Sequence, residues 1–280
     1  MSVYFITGAS RGFGLEIARD ALSRGHQVVA TARDADAVIA ALPEGGENLL
    51  AVALDVTDDA QARAAAEAAV TRFGRIDVLI NNAGRGLLGA VEEASDAEVR
   101  AVYETNVFGL LTVTRAVAPV LRAQHAGTIV NISSVGGFAS SPGWGVYAST
   151  KFAVEGLTEA LHTELAPLGV HAMIVEPGYF RTDFLDSSSL HVQEQRITDY
   201  DDGPAGQMRA TAGERNHDQP GDPVKAAKAI IDVVESGQPP VRLLLGKDTV
   251  RVVEGKIAHV QQELAQWRTV AESTDFDDVA

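Results

Sequence analysis

Cysteine is absent from this chain of 280 residues, and its absence excludes a disulfide, a thiolate nucleophile and a cysteine-ligated metal. The seven histidines are scattered and do not show the spacing of a metal-binding motif, so the sequence predicts no metal site. A chain without cysteine also fits a reducing compartment, where disulfides are rare.

Positive charge is scarce as well. The chain has 23 Lys and Arg residues against 38 Asp and Glu residues, which gives a formal net charge of −15. Because no basic surplus is left to neutralise phosphates, neither a nucleic acid nor an anionic membrane is an expected partner. No apolar run approaches the ~18–20 residues of a membrane span, and the opening MSVYFITG lacks the regions of a signal peptide. The sequence therefore predicts a cytoplasmic protein.

The residues that are present alternate between short, β-branched apolar runs and longer alanine-rich stretches. This alternation predicts an α/β fold of the Rossmann type, a doubly wound parallel sheet of about seven strands with helices on both faces. The strand candidates are Val3–Thr7, Gln27–Thr31, Leu49–Leu54, Val78–Asn81, Thr128–Ile132, His171–Val175 and Val241–Leu245. The helix candidates lie near Gly14–Ser23, Asp58–Phe73, Ala97–Asn106, Val107–Gln124, Tyr147–Leu165, Pro223–Glu235 and Val250–Arg268. No repeat or linker interrupts the pattern, so residues 1–280 are predicted to form one domain.

Residues 186–222 depart from this pattern because they are polar and show little periodicity. A long insert in a compact domain is typically a functional lid or a disordered loop. We predict that this insert is a substrate lid.

A glycine-rich turn, TGASRGFG, follows the first strand candidate and carries Gly8, Gly12 and Gly14. Glycine permits a positive φ and a close approach of the backbone to a ligand, and the next helix N-terminus suits a pyrophosphate. The spacing differs from the common GxGxxG pattern, and a tight turn without a ligand is the alternative interpretation. Its place after the first strand favours dinucleotide binding, with Ser10, Arg11 and Phe13 also predicted to contact the cofactor.

The end of the second strand candidate should face the adenosine ribose, where an acid suits NAD and an arginine suits the 2′-phosphate of NADP. Ala32 and Arg33 stand there, and Arg11 of the glycine loop could reach the same phosphate. Two cations at one place in so acidic a chain favour NADP(H), whereas two solvated arginines are the alternative.

A tyrosine and a lysine four residues apart, Tyr147 and Lys151 in YASTK, share one face of a predicted helix. Alone, the pair could be a packed aromatic ring and a solvated cation. The motifs TGASRGFG, NNAG at 81–84, Asn106, SS at 133–134, the Tyr–Lys pair and PG at 177–178 occur in this order. Together they resemble the short-chain dehydrogenase/reductase superfamily, in its compact single-domain form. The stretches SSVGG and VEPGYFRTDF resemble the branch of 17β-hydroxysteroid and retinol dehydrogenases.

The resemblance implies a role for individual residues. Ser134, Tyr147, Lys151 and Asn106 match the catalytic residues, with Ser133 as an alternative to Ser134. The residues implied in cofactor binding beyond the glycine loop are Arg33, Asp55, Val56, Asn82, Ala83, Gly84, Tyr147, Lys151, Pro177, Gly178 and Thr182. Relatives commonly form homodimers or homotetramers through the helices near 107–124 and 147–165.

The implied reaction is hydride transfer between a nicotinamide and a carbonyl carbon. Tyr147 would exchange the proton and Ser134 would hydrogen-bond the substrate oxygen. We expect Lys151, together with an oxidised nicotinamide, to lower the pKa of Tyr147, and Asn106 to support a water that links Lys151 to solvent. Val135, Trp144, Tyr179 and Phe184 are expected to line a pocket for a hydrophobic ketone, aldehyde or alcohol.

Three alternatives to an NADP(H)-dependent reductase remain open at this point. An NAD-dependent secondary-alcohol dehydrogenase differs only in cofactor and direction. A non-catalytic NADP(H) sensor would use the same fold, although such sensors typically lose the tyrosine or the lysine. A sugar-nucleotide epimerase would share the Tyr–Lys pair but usually has a larger C-terminal domain.

Overall fold

The computed structural model describes residues 1–214 and 216–276, and its centre is a parallel sheet of seven strands. These strands are β1 (Val3–Thr7), β2 (Gln27–Ala32), β3 (Leu49–Ala53), β4 (Val78–Asn81), β6 (Gly127–Ile132), β7 (Val170–Pro177) and β9 (Arg242–Leu245). Their order across the sheet is β3-β2-β1-β4-β6-β7-β9. The two short strands β5 (Gly86–Leu88) and β8 (Leu190–Val192) form a separate parallel pair. The predicted sheet is confirmed.

The described residues contain nine α-helices. They are α1 (Gly12–Ser23), α2 (Ala35–Ala41), α3 (Asp59–Phe73), α4 (Asp96–Tyr103), α5 (Leu110–Gln124), α6 (Gly145–Leu165), α7 (Pro204–Glu214), α8 (Pro223–Glu235) and α9 (Lys247–Glu272). The helices α2 and α7 were not predicted from the sequence. A single stretch of wider π-helical turns, Glu104–Gly109, joins α4 to α5 where the sequence predicted two abutting helices.

Both faces of the sheet are buried under helices, which explains why the strands read as continuous apolar runs. Phe5, Leu79 and Ile129 lie side by side on β1, β4 and β6 and are completely buried. One core packs against α1 and α8, and a second core packs against α3 and α5 on the opposite face.

The strand order reverses between β1 and β4, because the chain runs outward to β3 and then returns to the other side of β1. The carboxyl ends of the strands on either side of such a reversal leave a crevice where α/β proteins bind their ligands. The fold therefore places the glycine loop after β1 and the NNAG segment at the end of β4 at one crevice.

The polar insert at 186–222 is folded over this crevice in its described part. Its strand β8 pairs in parallel with β5, and its helix α7 carries Arg209, which ion-pairs with the fully buried Glu93 and with Asp201 at 3.1 Å. The hydrogen bond from Arg209 is the main cause that lowers the pKa of Glu93 to about 2 from an ordinary 4.5. Unfolding restores the ordinary pKa of 4.5, so the contact contributes its full stabilisation of the folded protein above that pH. This contribution is lost as the pH falls toward the folded-state pKa of about 2.

We predict that Arg209→Ala loosens the insert, because it leaves the Glu93 carboxylate buried without its cation. Amide hydrogen exchange of residues 190–214 is expected to accelerate by about tenfold or more, with the central sheet unchanged. The control is Arg196→Ala, since Arg196 is exposed and contacts the same Asp201 at 2.7 Å. Equal exchange in the two variants would contradict this role for Arg209.

Candidate active site

The glycine loop after β1 has the backbone shape that its sequence predicts. Gly8 and Gly12 adopt φ values of +65° and +57°, a region that favours glycine. Gly14 is needed for another reason: a Cβ atom there would lie 2.3 Å from the Gly8 carbonyl oxygen and 2.5 Å from Asn82 Nδ2. Arg11 precedes α1 and does not cap it with its side chain, so the first amides of α1 are open to an anionic ligand.

A cleft of about 1060 Å³ begins at this loop and runs along the carboxyl edge of the sheet. Its walls include fourteen of the residues predicted for the cofactor: Gly8, Ser10, Arg11, Gly12, Phe13, Arg33, Asp55, Val56, Asn82, Ala83, Gly84, Pro177, Gly178 and Thr182. Tyr147, Lys151, Ser134 and all four predicted substrate residues also line it. Gly14 and Asn106 are not on the wall, because Gly14 packs on Gly8 and Asn106 lies behind Arg85. A cradle of this size and backbone shape fits a dinucleotide.

Tyr147 and Lys151 lie one turn apart on α6, and both are buried at the floor of the cleft. Ser134 caps the short turn after β6, with its Oγ accepting a hydrogen bond from the Gly136 amide at 3.0 Å. The same hydroxyl lies close enough to the Tyr147 phenol to lower its pKa. Lys151 Nζ lies 5.8 Å from the centre of the Tyr147 ring and donates to the Ile132 carbonyl at 2.9 Å. The structure therefore brings together three of the four predicted catalytic side chains.

Burial decides the protonation of this pair. It raises the pKa of the Tyr147 phenol, against a smaller lowering by the Ser134 hydroxyl. It also lowers the pKa of Lys151 to about 8, against an opposing effect of Glu155. The expected lowering of the Tyr147 pKa by Lys151 is not found in the cofactor-free protein, because burial dominates and the amine is bonded to Ile132. The phenol is thus protonated at neutral pH.

Asn106 has a structural connection to the lysine through the loop after β4. Its Oδ1 accepts from the Arg85 amide at 2.9 Å, and its Nδ2 donates to the Arg85 carbonyl at 2.9 Å and to Thr150 Oγ1 at 3.1 Å. A Cβ on Gly84 would lie 3.3 Å from Asn106 Oδ1 and 3.8 Å from Lys151 Nζ. Asn106, placed by the π-helical turns, therefore fixes the backbone beside Lys151. A water held by Asn106 stays a prediction.

A buried acidic cluster behind the site was missed from the sequence. Glu155 lies one turn after Lys151, and Arg242 of β9 contacts both Glu155 and the completely buried Glu176 at the end of β7. Burial, with the charge of Glu176 adding to it, raises the pKa of Glu155 to about 7. The available signal was the acid four residues after Lys151, on the same helix face. The two candidate serines face different neighbours. Ser133 Oγ lies against Gly137 and beside Glu155 Oε1 of this cluster, whereas Ser134 lies beside Tyr147.

The two arginines predicted at the 2′-phosphate both line the cleft, and Arg11 is engaged by the insert. The guanidinium of Arg11 donates to the Ser188 carbonyl and to Ser189 Oγ, both at 2.9 Å, so it is directed to the insert. Arg33 is exposed on the cleft wall. The neighbouring Asp34 uses Oδ1 to accept from the Asp36 and Ala37 amides at the start of α2. Arg33 is therefore an exposed cation on the cleft wall at the end of β2.

The other end of the cleft is apolar and aromatic. Trp144 meets the Tyr147 ring edge-on at 5.6 Å between centroids, and Phe184 lies 5.5 Å from Tyr147 and 6.4 Å from Trp144. Leu88 and Leu190 of the small β5–β8 pair complete this cluster, with Met208 of α7 packed against it. The insert therefore supplies part of the apolar wall beside the phenol.

Within the described residues, one group of side chains has the spacing of metal ligands. The ligand atoms of Asp183, Asp186 and His217 lie within 4.8 Å of one another, and His217 is exposed. Exposed acidic groups of this kind are common without an ion, and these three do not contact Tyr147 or Ser134 in the structure.

Comparison with known proteins places this geometry in a family. The family model described as short chain dehydrogenase matches residues 2–193. Oxidoreductase BOA17 of Botryotinia fuckeliana is 38% identical over 259 residues, covering 92% of this chain and 93% of that protein. A 3-ketodihydrosphingosine reductase of Bacteroides thetaiotaomicron is 37% identical over 244 residues, covering 87% of each.

Solved structures agree with the sequence relatives. A short-chain dehydrogenase from Streptomyces avermitilis is 39% identical, with a TM-score of 0.90 over 98% of this chain and 100% of that one. A short-chain dehydrogenase/reductase from Burkholderia phymatum in complex with NAD is 26% identical, with a TM-score of 0.81 over 94% and 95%. The structure of ElxO with NADP bound is 27% identical, with a TM-score of 0.71 over 87% and 96%.

Proposed function

The chain belongs to the short-chain dehydrogenase family and is an oxidoreductase, and on that premise we propose that it reduces a hydrophobic ketone or aldehyde with NADPH, or catalyses the reverse oxidation. The observation that carries the proposal is the buried, protonated phenol of Tyr147 at the junction of a dinucleotide-sized cleft and an apolar aromatic wall. The resemblance to the 17β-hydroxysteroid and retinol dehydrogenase branch stays a prediction.

The roles of the residues follow from their positions. A bound nicotinamide would supply the hydride to the carbonyl carbon. The Tyr147 hydroxyl donates its proton to the carbonyl oxygen, and the Ser134 hydroxyl hydrogen-bonds the same oxygen as its negative charge grows. Lys151, mostly charged at pH 7 because its pKa is about 8, holds a ribose hydroxyl. Oxidation would use the Tyr147 phenolate as its base, and burial disfavours that form in the cofactor-free protein.

The substrate class is inferred from the wall around Tyr147. Trp144, Phe184 and Leu190 offer large apolar surfaces, which suit a hydrophobic ketone better than a sugar. The relative named 3-ketodihydrosphingosine reductase supports reduction of a keto group. The insert lines the cleft at 187–191 and at Met208, and we assign it the role of a lid over the substrate.

The cofactor assignment rests on Arg33 and on the use of Asp34 as a helix cap. An exposed guanidinium beside a carboxylate that already accepts the α2 amides suits the 2′-phosphate of NADP(H). NAD remains the alternative, because one of the similar structures contains NAD and another contains NADP.

The chain is also proposed to form a homodimer or homotetramer through α5 and α6. Phe108, just before α5, and Phe152 on α6 are exposed apolar side chains on these helices. No helix in the described part of the chain is long and apolar enough to cross a membrane. A cytoplasmic location stays a prediction.

We predict that Tyr147→Phe removes the proton donor and lowers kcat by about 10²–10⁴-fold. The measurement is loss of NADPH absorbance with a panel of aryl and long-chain ketones. Tyr103→Phe is the matched control, since its hydroxyl donates to Ser149 at 2.9 Å away from the cleft, and it should retain wild-type turnover. Near-normal turnover in Tyr147→Phe would refute the proton role, and NADPH binding without turnover of any carbonyl would favour a sensor.

We also predict that the wild-type protein binds NADPH more tightly than NADH. Arg33→Ala is expected to weaken the binding of NADPH and to leave the binding of NADH unchanged. Losing a charged contact to a phosphate is expected to reduce affinity by about 10–100-fold. Calorimetry with both cofactors measures this, and Arg63→Ala on the outer face of α3 serves as the control. Equal affinities of the wild-type protein for NADPH and NADH would contradict the assignment of Arg33.

A further inference from the structure

The C-terminal helix α9 leaves the body of the protein after its first two turns. Val253 is buried, whereas every residue from Glu254 to Phe276 is exposed. The exposed helical part, from Glu254 to Glu272, is ~28 Å long at the usual rise per residue. None of these residues lines the cleft.

Six apolar residues of this helix form a single stripe, whereas Val252 and Val270 lie outside it. Their spacing alternates between three and four residues, which is the a and d pattern of a coiled coil. The stripe consists of Val250, Val253, Ile257, Val260, Leu264 and Trp267. The last four are 44–57% exposed, so large side chains at consecutive seam positions face solvent. An apolar stripe that continues over successive turns marks an interaction surface.

The exposed part of α9 is poorly suited to be a stable helix without a packing partner. Its exposed part contains Gly255, and valines recur along α9, two residue types with low helix propensity. An isolated helix of this length is marginal in water even with favourable residues. Packing of the stripe against a partner would supply the missing stabilisation.

We propose that this stripe, with its seam at Ile257, Val260, Leu264 and Trp267, pairs in parallel with the same helix of a second copy of the chain. A strict repeat of 3.5 residues gives a narrow seam, which suits another helix, whereas a surface helix facing a membrane needs a wider apolar face. The helix carries as many acidic as basic residues within a chain of net charge −15, so an anionic membrane is not a favourable occupant.

The charges beside the seam favour the parallel orientation. In a parallel pair, Glu263 lies next to Arg268 of the second copy, and the symmetry makes this contact twice. An antiparallel pair using the same four seam residues would place Glu263 opposite Glu263 of the second copy. In the single chain, Arg268 forms a salt bridge with Glu272 on its own helix at 3.0 Å. Exposed salt bridges contribute little stability, so Arg268 can pair with Glu263 of the second copy instead.

This surface differs from the α5 and α6 helices proposed above as an interface. With a dimer through α5 and α6, both interfaces together would give a tetramer, and the α9 seam alone would give a dimer. Disrupting the seam therefore halves the mass of the assembly in either case.

The test is the mass of the full-length protein by light scattering and sedimentation. We expect Ile257→Glu with Leu264→Glu to halve the mass of the wild-type assembly. The matched control is Ala258→Glu with Ala265→Glu, which adds the same charges at the same spacing away from the seam and leaves the mass unchanged. Thermal melting of both variants checks that the body remains folded.

A charge exchange keeps the proposal testable if the seam variant unfolds. Glu263→Arg alone is expected to weaken self-association by about tenfold, and adding Arg268→Glu is expected to restore it. A monomeric wild-type protein, an unchanged mass in the seam variant, or no restoration by the double exchange would each overturn the proposal. So would a monomer that sediments with phosphatidylserine vesicles through the same stripe.

Discussion

The burial of a phenol and an amine on one face of α6 is the constraint on which the account depends. Tyr147 and Lys151 are both nearly inaccessible to solvent, and burial shifts both pKa values toward the neutral forms. The Tyr147 phenol therefore keeps its proton at neutral pH, and a lysine with a pKa of about 8 still carries charge there. Burial of the two side chains, more than the attraction between them, therefore sets their protonation in the cofactor-free protein.

The sheet topology explains why this pair can meet a dinucleotide. The reversal of strand order at β1 and β4 opens the crevice, and the glycine loop and NNAG segment both end there. Asn106 then fixes the Arg85 backbone beside the lysine. The insert covers the opposite end with Leu190, so the glycine-rich end and an apolar, aromatic end share one cleft.

Much of this could be predicted from the sequence, and the failures have physical causes. The central strands were predictable because burial on both faces leaves a continuous apolar signal. The strands β5 and β8 were missed because each has three residues and their pairing joins distant parts of the chain. The helix α2 was missed because its signal is a single cap, Asp34. The direction of the Tyr147 pKa shift and the contact of Arg11 with the insert depend on burial and on tertiary contacts, which spacing along the chain does not encode.

The most direct test of the central claim is the ionisation of Tyr147 itself in the cofactor-free protein. Tyrosinate absorbance is compared between the wild-type protein and Tyr147→Phe across the range from about pH 6 to 10, the upper limit being the ordinary pKa of tyrosine. Because burial raises the pKa of this phenol, the difference between the two proteins is expected to show no tyrosinate step in that range. A step near neutral pH would contradict the account, since Tyr147 would then already have lost the proton that it is proposed to donate.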